Sequence, residues 1–196
     1  MAADFRHTRF LKSAASLADL PPDTGREVAF AGRSNSGKSS ALNTITGVKG
    51  LARVSKTPGR TQLINYFAMS EACYLVDLPG YGYARVPLTV QRQWGLLMED
   101  YFMCRKTLAG LVLVMDARHP LTEFDTRLLA WTTPLRLPVL VLLNKADKLS
   151  KRAALSVQRQ VTQQLKTQAQ VQLFSALSKS GAEDARQVIS GWLASV

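Results

Sequence analysis

The chain has 196 residues, 46% hydrophobic and 20% charged, with 25 lysines and arginines against 14 aspartates and glutamates and a formal net charge of +11. That balance excludes a disordered chain and suits one domain with a sizeable core. No apolar run approaches the roughly 18 to 20 residues needed to cross a bilayer, and the positive excess favours a polyanionic partner, nucleic acid before a membrane.

Residues 1–25 read as a mixed leader, packed on or flanking a domain over residues 26–196. Asp4, Arg6, His7, Arg9 and Lys12 precede any apolar stretch, which argues against a secretory signal and for a cytoplasmic protein with no membrane partner. The leader closes on the turn-rich Leu20-Pro21-Pro22-Asp23-Thr24-Gly25. Residues 27–31 are short and apolar, as a buried strand is, and 38–46 suit a helix ending near Gly47. Residues 48–62 are polar and basic around Pro58-Gly59, which predicts a loop. Two strands over 63–69 and 73–76, with a tight turn at Ser70-Glu71, predict a hairpin. The segment 77–87 is rich in glycine and proline and reads as loop. A helix over about 90–105 follows, with Trp94, Leu97, Tyr101 and Phe102 at helical spacing. Strand and helix then alternate: 110–115, 123–131, 139–143, 151–166, 171–174 and 182–193. Cys73 and Cys104 fit no metal or disulfide pattern and read as buried, reduced thiols.

Nearly apolar strands alternating with helices predict an α/β fold: a mostly parallel sheet with helices on both faces and one antiparallel edge strand from the hairpin. In such folds ligands bind beyond the carboxyl ends of the strands. The most distinctive polar motifs fall there.

Gly32-Arg33-Ser34-Asn35-Ser36-Gly37-Lys38-Ser39 fits G-x-x-x-x-G-K-[ST] between a predicted strand and a predicted helix, the phosphate loop of a three-layer, small-GTPase-like P-loop NTPase. Its glycines let backbone N–H groups wrap a phosphate, and the helix aims its positive dipole end at the same place. Lys38 is expected to reach the β- and γ-phosphates, and the Ser39 hydroxyl to ligate Mg²⁺. Asp77-Leu78-Pro79-Gly80 leaves a buried strand with a carboxylate placed to hold a magnesium-bound water, and the Gly80 N–H is placed to meet the γ-phosphate. An aspartate at a strand end is by itself commonly a cap; downstream of a phosphate loop it gains meaning.

Asn144-Lys145-Ala146-Asp147 follows another apolar strand. The Asp147 carboxylate can accept two hydrogen bonds from the guanine N1–H and 2-amino edge, a donor pair adenine lacks. Lys145 can lie over the base, and Asn144 can tie this loop to the phosphate loop. Phe174-Ser175-Ala176-Leu177 is where backbone N–H groups would meet guanine O6, a weak signal without the other three loops. In Lys56-Thr57-Pro58-Gly59-Arg60-Thr61-Gln62 a threonine that finds Mg²⁺ and the γ-phosphate would make a switch. Of Thr57 and Thr61, the preceding Pro-Gly turn favours Thr61 as metal ligand, with Gly59 and Arg60 beside the nucleotide. Lys38, Thr61 and Gly80 are thus the candidate catalytic residues.

On these blocks, together with Glu27–Ala31 and Asp77 through Ala84, the chain resembles the EngB (YihA/YsxC) family of ribosome-biogenesis GTP-binding proteins, within the TrmE–Era–EngA–YihA superfamily. The resemblance implies GTP and GDP binding, Mg²⁺, a role in large ribosomal subunit assembly with rRNA or the large subunit as partner, and a link to cell division and septation. It also implies that Thr61 is the switch threonine. A monomer is expected. Arg53, Lys56, Arg60 and Arg85 lie in or beside the switch loops, where an rRNA contact and ordinary solvated charge are both open readings. Tyr81 stands where Ras-type GTPases carry the glutamine that orients the attacking water, so slow hydrolysis is expected. Asn35 stands where related potassium-activated GTPases carry theirs, and the resemblance implies that it would help hold a K⁺ ion supplying transition-state charge. Two alternatives remain: a nucleotide-dependent RNA or ribosome-binding adaptor with negligible hydrolysis, and an ATP-using kinase, against which Asn144–Asp147 argues.

Overall fold

The computed structural model describes residues 4–52, 63–81 and 88–194. Seven strands, β1 (Arg9–Ala14), β2 (Arg26–Ala31), β3 (Ile64–Ala68), β4 (Cys73–Asp77), β5 (Leu108–Asp116), β6 (Val139–Asn144) and β7 (Gln170–Leu173), form one sheet in the order β1-β3-β4-β2-β5-β6-β7. The helices are α1 (Lys38–Thr46), α2 (Leu88–Cys104), α3 (Glu123–Thr132), α4 (Lys151–Leu165) and α5 (Ala182–Ala194). β4, β2, β5, β6 and β7 pair in parallel, and β3 runs antiparallel to β4 and to β1.

The central strands are apolar on both faces because both are covered. Ala29, Ala31, Leu111, Leu113, Val141 and Leu143 face one core, shared with Met98 and Tyr101 of α2, Leu128 of α3 and Val161 of α4. Val28, Phe30, Val112, Val114, Leu140 and Leu142 face the other, against Leu42 and Ile45 of α1 and Ile189 of α5. Because β4, β2, β5, β6 and β7 are parallel, their carboxyl ends share one rim of the sheet.

Two expectations are corrected. The strand β1 lies in the segment that composition marks only as a leader, and it caps the hairpin, so the antiparallel strand β3 is second from the edge. An edge strand carries weak sequence signal: four of the six β1 residues are exposed, and a bulge between Phe10 and Lys12 breaks its alternation. The thiols also differ from expectation. Both are unpaired, but Cys73 is only half-buried and Cys104 is exposed on the last turn of α2.

At the opposite rim, Glu27 is fully buried yet charged by residue type. It is ion-paired with Arg105 and accepts hydrogen bonds from the hydroxyls of Tyr66 and Tyr101, both at 3.1 Å. Arg105 also donates to the Pro21 carbonyl at 3.0 Å, which ties the leader to the base of the sheet. Burial and the Glu27 charge together push the Tyr101 phenol well above its ordinary range.

Candidate nucleotide site

The phosphate loop joins β2 to α1. Asn35 (φ 64°) and Gly37 (φ 90°) both adopt the left-handed conformation, an arrangement that turns backbone N–H groups inward. Glycine at 37 is demanded twice over: a Cβ there would sit 2.3 Å from the Asn144 Nδ2. At Gly32 a Cβ would fall 2.6 Å from the Val114 carbonyl and 2.7 Å from the Ser36 Oγ. That Ser36 hydroxyl is itself buried, with no hydrogen-bond partner among the described residues. The first turn of α1, beginning at Lys38 and Ser39, has N–H groups with no carbonyl inside the helix to bond, and these open toward the loop.

Asp77 ends β4, paired in register with Phe30 on β2, so its carboxylate lies beside the phosphate loop. It forms a hydrogen-bonded ion pair with the Lys38 ammonium, and both side chains are nearly buried. Leu78 and Pro79 are buried, and Leu78 N–H donates to the Phe30 carbonyl at 2.9 Å, fixing the start of the D-x-x-G loop against β2. At its far end the Tyr81 carbonyl accepts from the Ser34 N–H at 2.7 Å, so the loop is held to β2 before Gly80 and to the phosphate loop after it. The Tyr81 side chain is turned into the α2 and α3 layer. It is 3% exposed, packs against Trp94 and Phe124 at 5.2 and 6.0 Å between ring centres, and donates to the Asp125 carboxylate at 2.8 Å. Burial, then the Asp125 charge, pushes the Tyr81 phenol well above its ordinary range. Asp125 also accepts from the N–H and hydroxyl of Thr122, capping α3.

Asn144 is the hub. Its amide donates to the Ser36 carbonyl at 2.8 Å, and its oxygen accepts from the Ala176 N–H at 3.1 Å. One side chain thereby holds the phosphate loop and the loop after β7. Lys145, left-handed at φ 64°, sends its ammonium to the Asn35 carbonyl (2.6 Å) and to the Asp116 carboxylate (2.9 Å). Ala146 N–H donates to the Phe174 carbonyl at 3.1 Å, and Ser175 donates its hydroxyl to Asp147 at 2.6 Å. That hydrogen bond from Ser175 holds the Asp147 carboxyl below its ordinary value and so keeps it charged. Leu177 is 76% exposed at the same edge.

Thus Gly32 through Ser39, Asp77 through Gly80, Asn144 through Asp147, and Phe174 through Ala176 meet at one rim. Gly59, Arg60 and Thr61 lie outside the described residues, as do Arg53, Lys56, Thr57 and Arg85. The motifs missed Asp116, which ends β5 opposite Asn144 and anchors Lys145. Burial alone would raise its pKa, but hydrogen bonds from Arg118 and Lys145 outweigh it and hold the carboxyl well below the usual range. Its signal was available: an aspartate closing an apolar strand on the same rim as the others.

The donor set near the Lys38 and Asp77 pair, a serine hydroxyl and a carboxylate, consists of hard oxygens suited to Mg²⁺ shared with phosphates. Among the described residues no helix is long and apolar enough to cross a membrane.

The pattern of the 50S ribosome-binding GTPase family matches residues 27–145. The chain is 52% identical over 193 residues to a probable GTP-binding protein EngB of Azoarcus sp. (strain BH72), covering 96% of this chain and 92% of that one. It is 49% identical over 197 residues to a protein of the same description from Coxiella burnetii (strain CbuK_Q154), covering 99% and 96%. Among solved structures, a probable GTP-binding protein EngB aligns with a TM-score of 0.71 at 22% identity, covering 85% of this chain and 98% of that one. Era in complex with MgGDPNP and nucleotides 1506–1542 of 16S ribosomal RNA aligns with a TM-score of 0.68 at 19% identity, covering 88% and 58%. At those identities the two structures speak for the fold.

Proposed function

Since the chain belongs to the EngB family of GTP-binding proteins and carries its GTPase domain, we propose that it is a slow, magnesium-dependent GTP switch acting in the cytoplasm on the assembling large ribosomal subunit. The observation that carries the reading is the pair of hydrogen bonds that Asn144 makes, donating to the Ser36 carbonyl and accepting from the Ala176 N–H. It ties the phosphate loop and both base loops into one cradle for a nucleotide. Asp147, kept ionised by Ser175, takes the guanine edge, and the Lys145 stem lies along the base. Leaving that carboxylate unpaired against adenine sets the discrimination.

Lys38 would exchange its Asp77 partner for phosphate oxygens, freeing the Asp77 carboxylate. Ser39 with Thr61, and Asp77 through a water, would hold Mg²⁺, which would supply charge neutralisation at the phosphates. In hydrolysis, water adds to the γ-phosphorus and the bond to the β–γ bridging oxygen breaks, leaving GDP and phosphate. Residue 81 offers no group to that water, because its ring is held in the helical layer by Trp94, Phe124 and Asp125. Slow turnover follows, and the exposed Asn35 beside the phosphates is the residue we assign to a K⁺ ion that compensates. Equal rates in K⁺ and Na⁺ would discard that assignment.

The same burial of Tyr81 favours, as a second reading, an adaptor whose hydrolysis is negligible; single-turnover hydrolysis with and without ribosomal subunits separates the two. The principal test is co-sedimentation with ribosomal subunits in GDP and in a non-hydrolysable GTP analogue. Binding to large-subunit particles that requires the triphosphate form supports the switch. Binding indifferent to the nucleotide refutes it.

A further inference from the structure

Positive charge is not spread evenly along this chain. Between Asp125 and Glu183 there are nine lysines and arginines and a single carboxylate, Asp147, which belongs to the base loop. That stretch contains α4, whose sequence KRAALSVQRQVTQQL has no acidic residue at all. Ala154, Val161 and Leu165 are its buried contacts with the sheet. Lys151, Arg152 and Arg159 are exposed on the helix, as is Lys166 at its end, and among the described residues none of them forms an ion pair.

Arg152 and Arg159 are seven residues apart, so they share one side of the helix about 10 Å apart along a rod about 22 Å long, and Lys166 follows as the positive-φ cap (φ 50°) at the helix end. Exposed Ser156 and Gln163 lie between them. Beyond the end of α4 the row runs into a groove of about 810 Å³ that Lys166 lines together with Arg136, Gln164, Gln168 and Gln170. Arg136 is likewise exposed and without an ion pair among the described residues. The groove also has apolar walls, Val139, Leu165 and Trp192 among them, and the polar groups on the face are cations, amides and hydroxyls, with no carboxylate among its described residues. That is the chemistry of a surface for a phosphate backbone, where lysine and arginine neutralise charge and amide and hydroxyl groups bond phosphate and sugar oxygens. The Gln168 amide is already engaged, donating to the Leu129 carbonyl and the Thr133 hydroxyl; an acidic protein segment would satisfy the cations but not the remaining exposed amides.

We propose that the outer face of α4, continued into the groove at Arg136 and Lys166, is a docking surface for base-paired RNA. The choice of RNA over DNA rests on the ribosomal reading above; the choice of face does not. Because α4 starts just after the base loop, RNA on this face approaches the nucleotide from the guanine end, and the switch segments remain open to a second contact.

The test measures binding of a fluorescent RNA duplex of about 20 base pairs over a salt series. The variant Arg152→Gln/Arg159→Gln/Lys166→Gln is compared with Arg6→Gln/Arg9→Gln/Lys12→Gln, which removes equal charge from exposed positions near the opposite edge of the sheet. Both are to retain wild-type GDP affinity and melting temperature. The α4 variant is expected to bind at least tenfold more weakly, with a salt slope shallower by about two to three units. The matched variant should lose less than one unit. Equal losses in the two variants, unchanged binding by the α4 variant, or competition by polyglutamate as strong as by RNA each overturns the proposal, and equal binding of the DNA duplex overturns the choice of RNA. Ribosomal subunits distinguish the two levels of the account. If the α4 variant still co-sediments fully, this face is wrong while the ribosomal reading stands. If wild type binds the duplex through α4 but binds no subunit with either nucleotide, the ribosomal reading fails and the face stands.

Discussion

Truncating Asn144 to alanine tests whether one side chain makes the phosphate loop and both base loops a single cradle. Asn144 is 2% exposed, and its two hydrogen bonds go to the Ser36 carbonyl and from the Ala176 N–H. Alanine leaves both backbone groups without a partner, and each unsatisfied buried group costs about 1 to 3 kcal/mol. Ser36 is buried and Ala176 only partly so, which puts the second loss at the lower end and the total at about 2 to 4 kcal/mol. Part of this appears as stability in urea unfolding. The rest appears as ligand affinity, because the phosphate and base loops then move independently and must be ordered by the nucleotide itself. A tenfold to hundredfold rise in the GDP dissociation constant, about 1.4 to 2.8 kcal/mol, is expected by fluorescent-nucleotide titration. A variant that loses stability but binds GDP as wild type does would refute the coupling, and one unchanged in both would refute the geometry.

Tyr81→Gln should not accelerate hydrolysis, since the side chain at 81 faces the α2 and α3 layer; loss of the ring contacts and the Asp125 bond should cost about 3 to 5 kcal/mol in unfolding free energy. A tenfold gain in turnover would show that residue 81 swings to the rim. Asp147→Asn should lower GDP affinity by about three orders of magnitude or more and favour xanthosine diphosphate; retained guanine preference in competition binding would overturn the base assignment. Asp116 has a folded pKa depressed below its ordinary 3.8 by Arg118 and Lys145. Its contribution to stability is therefore full above that ordinary value and fades as pH falls through the folded one. The melting-temperature gap between wild type and Asp116→Asn should stay constant from pH 7 to 5 and narrow below about pH 4; a gap that closes near neutrality contradicts the sign.

The site was legible where residue type and position coincide. A glycine pattern between a buried strand and a helix, and carboxylates or amides just past apolar strands, identify a rim before any coordinates are drawn. Where packing decides, the sequence was silent. Nothing local in Arg9–Ala14 declares a strand, because an edge strand is exposed on both faces and earns its order from β3. Tyr81 reads as a loop residue until Trp94, Phe124 and Asp125, from two later helices, are brought around it. Glu27 likewise looks misplaced in an apolar strand until Arg105 and two tyrosines close on it. Asp116 shows the intermediate case, a carboxylate visible at a strand end whose partner, Lys145, only the parallel pairing of β5 with β6 supplies.

The most direct measurement is competition for fluorescent GDP in magnesium buffer. The account predicts displacement by GTP and GDP at micromolar or lower concentration, none by ATP at a thousandfold excess, and weakened GTP binding when magnesium is chelated. Displacement by ATP at the concentrations that suffice for GTP, or no retention of GDP at all, would contradict it.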